Sequence, residues 1–312
     1  MKRQLFILLA LFFFLPGLNA KHQYNPADNT PEGKWDITIN LDGKMVPSWL
    51  EIRSSGFHNL IGEFVGIVGS ARPISKINFN DNKFNFTVPP QWEPGNNDLV
   101  FEANFYGDSL SGTMVYSNGK TYSWTAARAP ALLRKSNPAW NAQVKLFNGK
   151  DLSGWHALGN NQWLAENGVL RSPKSGANLV TDRKFTDFKL HIEFRYPKES
   201  NSGIYLRGRY ELQIEDNKGM EPSKDHLGAI YGFIVPSQMA AKAAGEWQSY
   251  DVTLIGRLVT VVANGKTIIC NQPVPGITGG ALDSREGEPG PILIQGDHGP
   301  VEFRNIIIST GK

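Results

Sequence analysis

One cysteine, Cys270, occurs in 312 residues, which excludes an intramolecular disulfide and leaves a packed core as the source of stability. Neither charge is in excess: Lys and Arg number 32, Asp and Glu 29, and the net +3 is scattered along the chain. That is no nucleic-acid footprint, so no nucleic-acid partner is expected. The six histidines fall in no His-x-His or Cys-His pair, so no ready-made zinc site is encoded. Helical periodicity is nearly absent. The one long apolar run, Leu5 to Leu15, is shorter than the roughly 20 residues a membrane helix needs, so no transmembrane segment is expected.

Lys2 and Arg3 precede that run, Pro16-Gly17 ends it, and Leu18-Asn19-Ala20 offers a small residue for cleavage. Residues 1–20 therefore read as a secretory signal peptide. The mature chain is expected to begin at Lys21, to carry a net charge of +1 once Lys2 and Arg3 are gone, and to be exported to the periplasm or the cell surface. No cysteine follows the cleavage site, so lipid attachment there is not expected.

What the chain does contain is strand signal: alternating apolar residues with 32 Gly and 19 Pro between them. Trp35, Ile37, Ile39 and Leu41 alternate with polar residues, and Asn118-Gly119 sits where a two-residue hairpin turn would. Residues 21–130 read as a small β-barrel or sandwich. Gly33-Lys-Trp35 and Arg128 resemble the glycine-x-tryptophan and closing arginine of lipocalin-like barrels, in which the arginine packs across the tryptophan. The Pro-containing stretch 131–142 reads as a linker. In residues 143–312 Phe188, Leu190, Ile192, Phe194 and Tyr196 alternate with His191, Glu193 and Arg195, and Asn264-Gly265 marks another hairpin. At least eight strands without a long helix predict a two-sheet jelly roll, in an all-β chain of two domains.

The polar strand faces carry the functional signal. Glu193, Tyr205, Arg207, Glu211, Gln213 and Glu215 mix carboxylate, phenol, guanidinium and amide. Sugar hydroxyls need donors and acceptors together, so a carbohydrate groove is the functional reading; an ordinary solvated sheet face is the competing one.

Several short motifs carry a resemblance over about residues 143–310. They are Leu146-Phe-Asn-Gly-Lys-Asp-Leu-Ser-Gly-Trp155, Asn201-Ser-Gly-Ile-Tyr-Leu-Arg207, Tyr210-Glu-Leu-Gln-Ile-Glu-Asp216, Gly228-Ala-Ile-Tyr-Gly232, Gly245-Glu-Trp247, and Gln295-Gly-Asp-His-Gly299 with Phe303-Arg-Asn-Ile306. In that order they resemble the 3-keto-disaccharide hydrolase domain family. The resemblance implies a concanavalin-like jelly roll and an exported bacterial protein acting on glycosides oxidised at C3. A C3 ketone acidifies the C2 hydrogen, so a base can remove it, the enolate can expel the C1 substituent, and water can then add. Such a site needs a base near C2, a donor or cation at the C3 oxygen, and an acid near the leaving oxygen. A divalent metal is compatible with the second role, although the sequence names no cofactor.

His298, in a Gly-rich loop, and Glu211, facing away from Leu212, are the candidate acid and base. Glu193, Tyr205, Arg207, Gln213, Asp216, Tyr231, Trp247 and Gln295 are the candidate substrate contacts. Glu193 and Arg207 are equally read as a cross-strand pair, Asp216 as a turn residue, and Tyr231 and Trp247 as core aromatics. Arg304 is read as structural and the Gly276–Gly280 stretch as a plain loop. A retaining glycosidase of concanavalin-like fold is one alternative, because Glu211-Leu-Gln213-Ile-Glu215 resembles a Glu-x-Asp-x-Glu pattern, but with Gln at the centre. A non-catalytic glycan-binding module is the other. The role of residues 21–130 and the oligomeric state are not written in the sequence.

Overall fold

The computed structural model describes residues 30–312, so the expected signal peptide lies outside the described residues. Pro31–Lys312 forms one compact all-β unit. No helix among the described residues is long and apolar enough to cross a membrane.

Eight antiparallel strands, from Gly33–Leu41 to Thr121–Arg128, follow one another around a closed barrel. Closure pairs the first strand with the last and sets Trp35 opposite Arg128. The Arg128 guanidinium lies 4.0 Å from the Trp35 ring centroid, a cation–π contact of the kind the two ends of the motif predict. Gly33 makes room for it: its φ is +127°, and a Cβ there would lie 2.8 Å from Arg128 Nη1. The interior is filled with side chains. Phe64, Phe84, Phe86, Phe101 and Trp124 pack ring against ring, with Phe86 and Phe101 stacked at 4.6 Å. The Asn118-Gly119 hairpin forms, but its loop runs from Tyr116 to Lys120, because the Tyr116 N–H bonds the Lys120 carbonyl beyond both turn residues. Asn264-Gly265 does make a two-residue turn: both have positive φ and Ala263 pairs with Lys266.

Two sheets enclose the second core. One runs in the order Trp155–Ala157, Leu179–Thr181, Leu293–Ile294, Asn201–Leu206, Tyr210–Glu215. The other centres on Val301–Thr310, Phe188–Arg195 and Gln248–Ile255. Their facing side chains alternate, as in Leu190, Ile192 and Phe194 against Leu212 and Ile214.

The strand Lys44–Ser55 breaks its alternation at the centre, where Val46 to Leu50 are all buried. One of its faces lines the barrel while Trp49 enters the sandwich core, edge-on to Phe233 at 5.2 Å. An indole buries roughly 150–250 Å², contributing on the order of 4–6 kcal/mol at about 25 cal/mol/Å². That exceeds the roughly 1 kcal/mol of a polar contact such as Thr38 Oγ1 to Ser284 Oγ at 2.5 Å, so Trp49, with Val65 and Ala71 in the same cluster, joins the two parts more strongly than that contact does. Between barrel and sandwich, Arg134 pairs with Asp187 at 2.6 Å and the Lys312 N–H bonds the Ala139 carbonyl at 2.8 Å.

Candidate functional site

Tyr205 and Glu211 sit directly opposite each other on paired strands, pointing away from the core that holds Leu206, Leu212 and Ile214. The Glu211 strand is the edge of its sheet, and its edge is covered. The Tyr231 N–H bonds the Glu211 carbonyl, and the Glu211 N–H bonds Thr278 Oγ1. Glu211 is thereby only 4% exposed.

Burial pushes the Glu211 carboxyl up to about 8, a rise only partly offset by the Tyr205 hydroxyl and by His298 and increased by Asp297. The Tyr205 hydroxyl lies 2.9 Å from Glu211 Oε2 and 3.0 Å from the Gly279 carbonyl. A phenol has one proton, which goes to the carboxylate when Glu211 is ionised; when Glu211 is neutral its own proton can go to the phenol oxygen, freeing the Tyr205 proton for the Gly279 carbonyl.

His298 stands in the loop between Leu293–Ile294 and Val301–Thr310, and its Nδ1 lies 2.7 Å from Asp297 Oδ1. That hydrogen bond raises its pKa against partial desolvation, with further help from the charges of Asp297 and Glu211. The loop is fixed by Asn178, whose Oδ1 accepts from the Gly296 N–H at 2.8 Å. Next to it Gln295 is buried, and its Oε1 has no protein donor. The residue lines the same space as His298.

Together these groups line a cavity of about 580 Å³, within the usual size range of small-molecule sites. Tyr205, Glu211, Gln213, Tyr231, Gln295 and His298 meet there. Four other candidates lie elsewhere. Glu193 is on the other sheet, 2.6 Å from Arg304 Nε and 2.8 Å from Asn305 Nδ2, so its ionic partner is Arg304 and not Arg207. Trp247 lies on that same side, with Arg304 at 4.0 Å and Arg195 at 4.8 Å from its ring centroid. The alternation that placed Arg207 beside Tyr205 ends with the strand at Leu206: Arg207 occupies the turn with φ +54° and points inward, donating to the Tyr210 hydroxyl at 2.7 Å and the Gly256 carbonyl at 3.1 Å. Asp216 closes its strand by accepting from the Glu199 N–H at 3.1 Å.

Sequence reasoning missed Asn178, Asn201, Asp225 and Asp297, and it passed over Gly279 and Gly280 as plain loop. Asn201 and Asp297 stood inside recognised motifs. It also missed Val68, Gly69 and Trp92, which come from the barrel. A lone Trp among Pro, Gly and Asn was the available signal. Among the described residues no group of three or more His, Cys, Asp and Glu is assembled as a metal site.

The model of the 3-keto-alpha-glucoside-1,2-lyase-like domain matches residues 142–309. A protein of Bacteroides thetaiotaomicron named 3-keto-disaccharide hydrolase is 22% identical over 165 aligned residues, covering 40% of this chain; the chain spans 57% of that relative's length. A Parabacteroides distasonis structure named as a candidate glycosyl hydrolase is 27% identical with a TM-score of 0.47, covering 58% of this chain and 96% of that one. A second from the same organism is 19% identical with a TM-score of 0.46, covering 55% and 94%.

Proposed function

The chain belongs to the 3-keto-alpha-glucoside-1,2-lyase-like family, and we propose that its cavity cleaves the glycosidic bond of a sugar already oxidised at C3, by elimination and then hydration. The observation that carries this reading is Glu211, a buried carboxyl without a cation in direct contact, sharing one cavity with a histidine oriented by Asp297. Two titratable groups with raised pKa values suit an acid and a base working near neutral pH.

In the scheme, His298 takes the C2 proton through the ring nitrogen that Asp297 leaves free. Electrons from the C2–H bond form the enolate, whose C1–O bond then breaks. Neutral Glu211 protonates the departing oxygen, and Tyr205 holds the carboxyl in place. Gln295 and Gln213 offer acceptors and donors to the remaining hydroxyls. Water then adds across C1 and C2, hydroxide at C1 and hydrogen at C2, so the balance is a hydrolysis. The substrate is a carbohydrate met outside the cytoplasm, consistent with the expected signal peptide and export.

The test compares a plain disaccharide with its C3-oxidised counterpart, with and without a chelator, following product release and C2 hydrogen exchange. Only the oxidised sugar reacts under this reading, and deuterium at C2 slows release or washes out. A loss of activity with chelator assigns the enolate oxygen to a divalent cation; retained activity assigns it to protein donors. Cleavage of the plain disaccharide overturns the scheme in favour of a retaining glycosidase. Binding of both sugars without turnover leaves a glycan-binding module.

A further inference from the structure

Buried aromatic and aliphatic side chains fill the barrel core, and two of the barrel's loops wall the cavity that holds Glu211 and His298. Val68, Gly69 and Trp92 line it together with Tyr231. The contact behind them is backbone to backbone. Gly279 of the sandwich packs against Gly69 so closely that a Cβ on Gly279 would lie 2.3 Å from the Gly69 carbonyl oxygen, and the Gly280 N–H bonds the Ile67 carbonyl at 2.8 Å.

Trp92 is 67% exposed, although the chain beneath it is tightly held. Glu93 is buried and accepts from Arg72 at 2.7 and 3.2 Å, and from the Gln91 and Trp92 backbone N–H groups at 2.8 and 3.2 Å. A buried ion pair and two backbone bonds thus fix the backbone that carries an indole burying little of itself. The indole lies within hydrogen-bonding reach of the Tyr231 side chain, and both line the cavity. An exposed aromatic carried on a fixed backbone at a cavity is a stacking platform for a flat partner.

Glu211 is buried and Trp92 exposed in the same cavity, so a leaving group protonated by Glu211 at C1 can extend outward to meet Trp92. We propose that the barrel forms the leaving-group subsite, and that Trp92 selects glycosides whose leaving group is a ring with an apolar face, a second pyranose or an aromatic ring. This rests on the reading of the cavity given above.

The experiment measures kcat/KM of the full chain and of Trp92→Ala on C3-oxidised glucosides with methyl, phenyl and glucosyl leaving groups. The variant is expected to lose on the order of 10-fold more for phenyl and glucosyl than for methyl, mainly in KM, with Trp92→Phe recovering most of it. Equal losses on all three, or none, overturn the subsite. Loss with phenyl alone or glucosyl alone identifies which ring it takes. Calorimetric titration with the unoxidised methyl, phenyl and glucosyl glucosides needs no chemistry and separates the two readings. Selective, Trp92-dependent binding without turnover of any oxidised glucoside keeps the subsite and sinks the elimination scheme; turnover indifferent to Trp92 does the reverse.

Discussion

The two sheets of the sandwich each present a strand face rich in ionisable groups, and they differ in how the charges are answered. On the larger sheet His191 lies 2.7 Å from Asp251, Glu193 lies 2.6 Å from Arg304, and Arg195 pairs with Glu302. Every carboxylate named there has a cation or histidine beside it. Desolvation pushes Glu193 up, but Asn305, Arg304 and His191 outweigh it and hold the carboxyl below its ordinary value. On the smaller sheet Glu211 meets a phenol and no direct cation, so desolvation prevails and its value rises to about 8. A polar strand face is therefore not itself a site. What distinguishes one is a buried group that the protein leaves for something else to satisfy.

The largest effect expected from this contrast is on turnover. Glu211→Gln or His298→Ala should slow it by a factor on the order of 10² to 10⁴ while substrate binding largely survives. Glu193→Gln, its counterpart on the other sheet, should leave turnover within about twofold, since Glu193 lies outside the cavity and a partly exposed ion pair contributes little. Equal losses in both glutamate variants would erase the distinction between the two faces.

A buried carboxylate that is answered by a cation sharpens the comparison from the other side. Glu93 is buried like Glu211 but bonded by Arg72, which with the Gln91 N–H overcomes desolvation and holds it below its ordinary value. Arg72→Met should cost about 3–5 kcal/mol in urea unfolding, because it strands a buried charge. A change under about 1 kcal/mol would show that burial alone, without pairing, sets the cost.

The pH dependence follows with a definite sign. Folding favours the protonated form of Glu211, whose value rises from 4.5 to about 8. Its contribution to stability is thus fully present below about pH 4.5 and is lost as pH rises through about 8. Unfolding free energy of Glu211→Gln, followed over pH 5–9, should lack this decline. In the same window kcat/KM should fall on the alkaline side near 8 as the acid ionises, on top of a rise from His298 at lower pH. An activity that rises through 8 instead would make Glu211 the base. The smallest effect belongs to the larger sheet: Glu193→Gln should change stability by about 0–1 kcal/mol, less in high salt, by thermal unfolding.

Legibility from sequence followed locality. Tyr205, Glu211 and Gln213 were placed on one side of paired strands because period-two alternation is a local rule, and they do line one cavity. Arg207 failed the same rule where the strand turned, and Glu193 failed because alternation says nothing about which sheet a strand joins. The Asn264-Gly265 turn was readable from two residues that tolerate positive φ, while the hairpin at Asn118-Gly119 was found with the wrong loop length because Tyr116 and Lys120 close it.

By itself, then, the order of residues determined the all-β class, the Trp35 and Arg128 closure of the barrel, and the family of residues 142–309, since each rests on neighbours in the chain or on short motifs. Only the tertiary structure decided that Trp49 of the barrel belongs to the sandwich core, that Gly279 meets Gly69, and that Trp92 stands over the cavity of Glu211. Those contacts join residues more than a hundred positions apart, and burial, which depends on everything that covers a side chain, raises the Glu211 pKa; neither can be read from a strand considered alone.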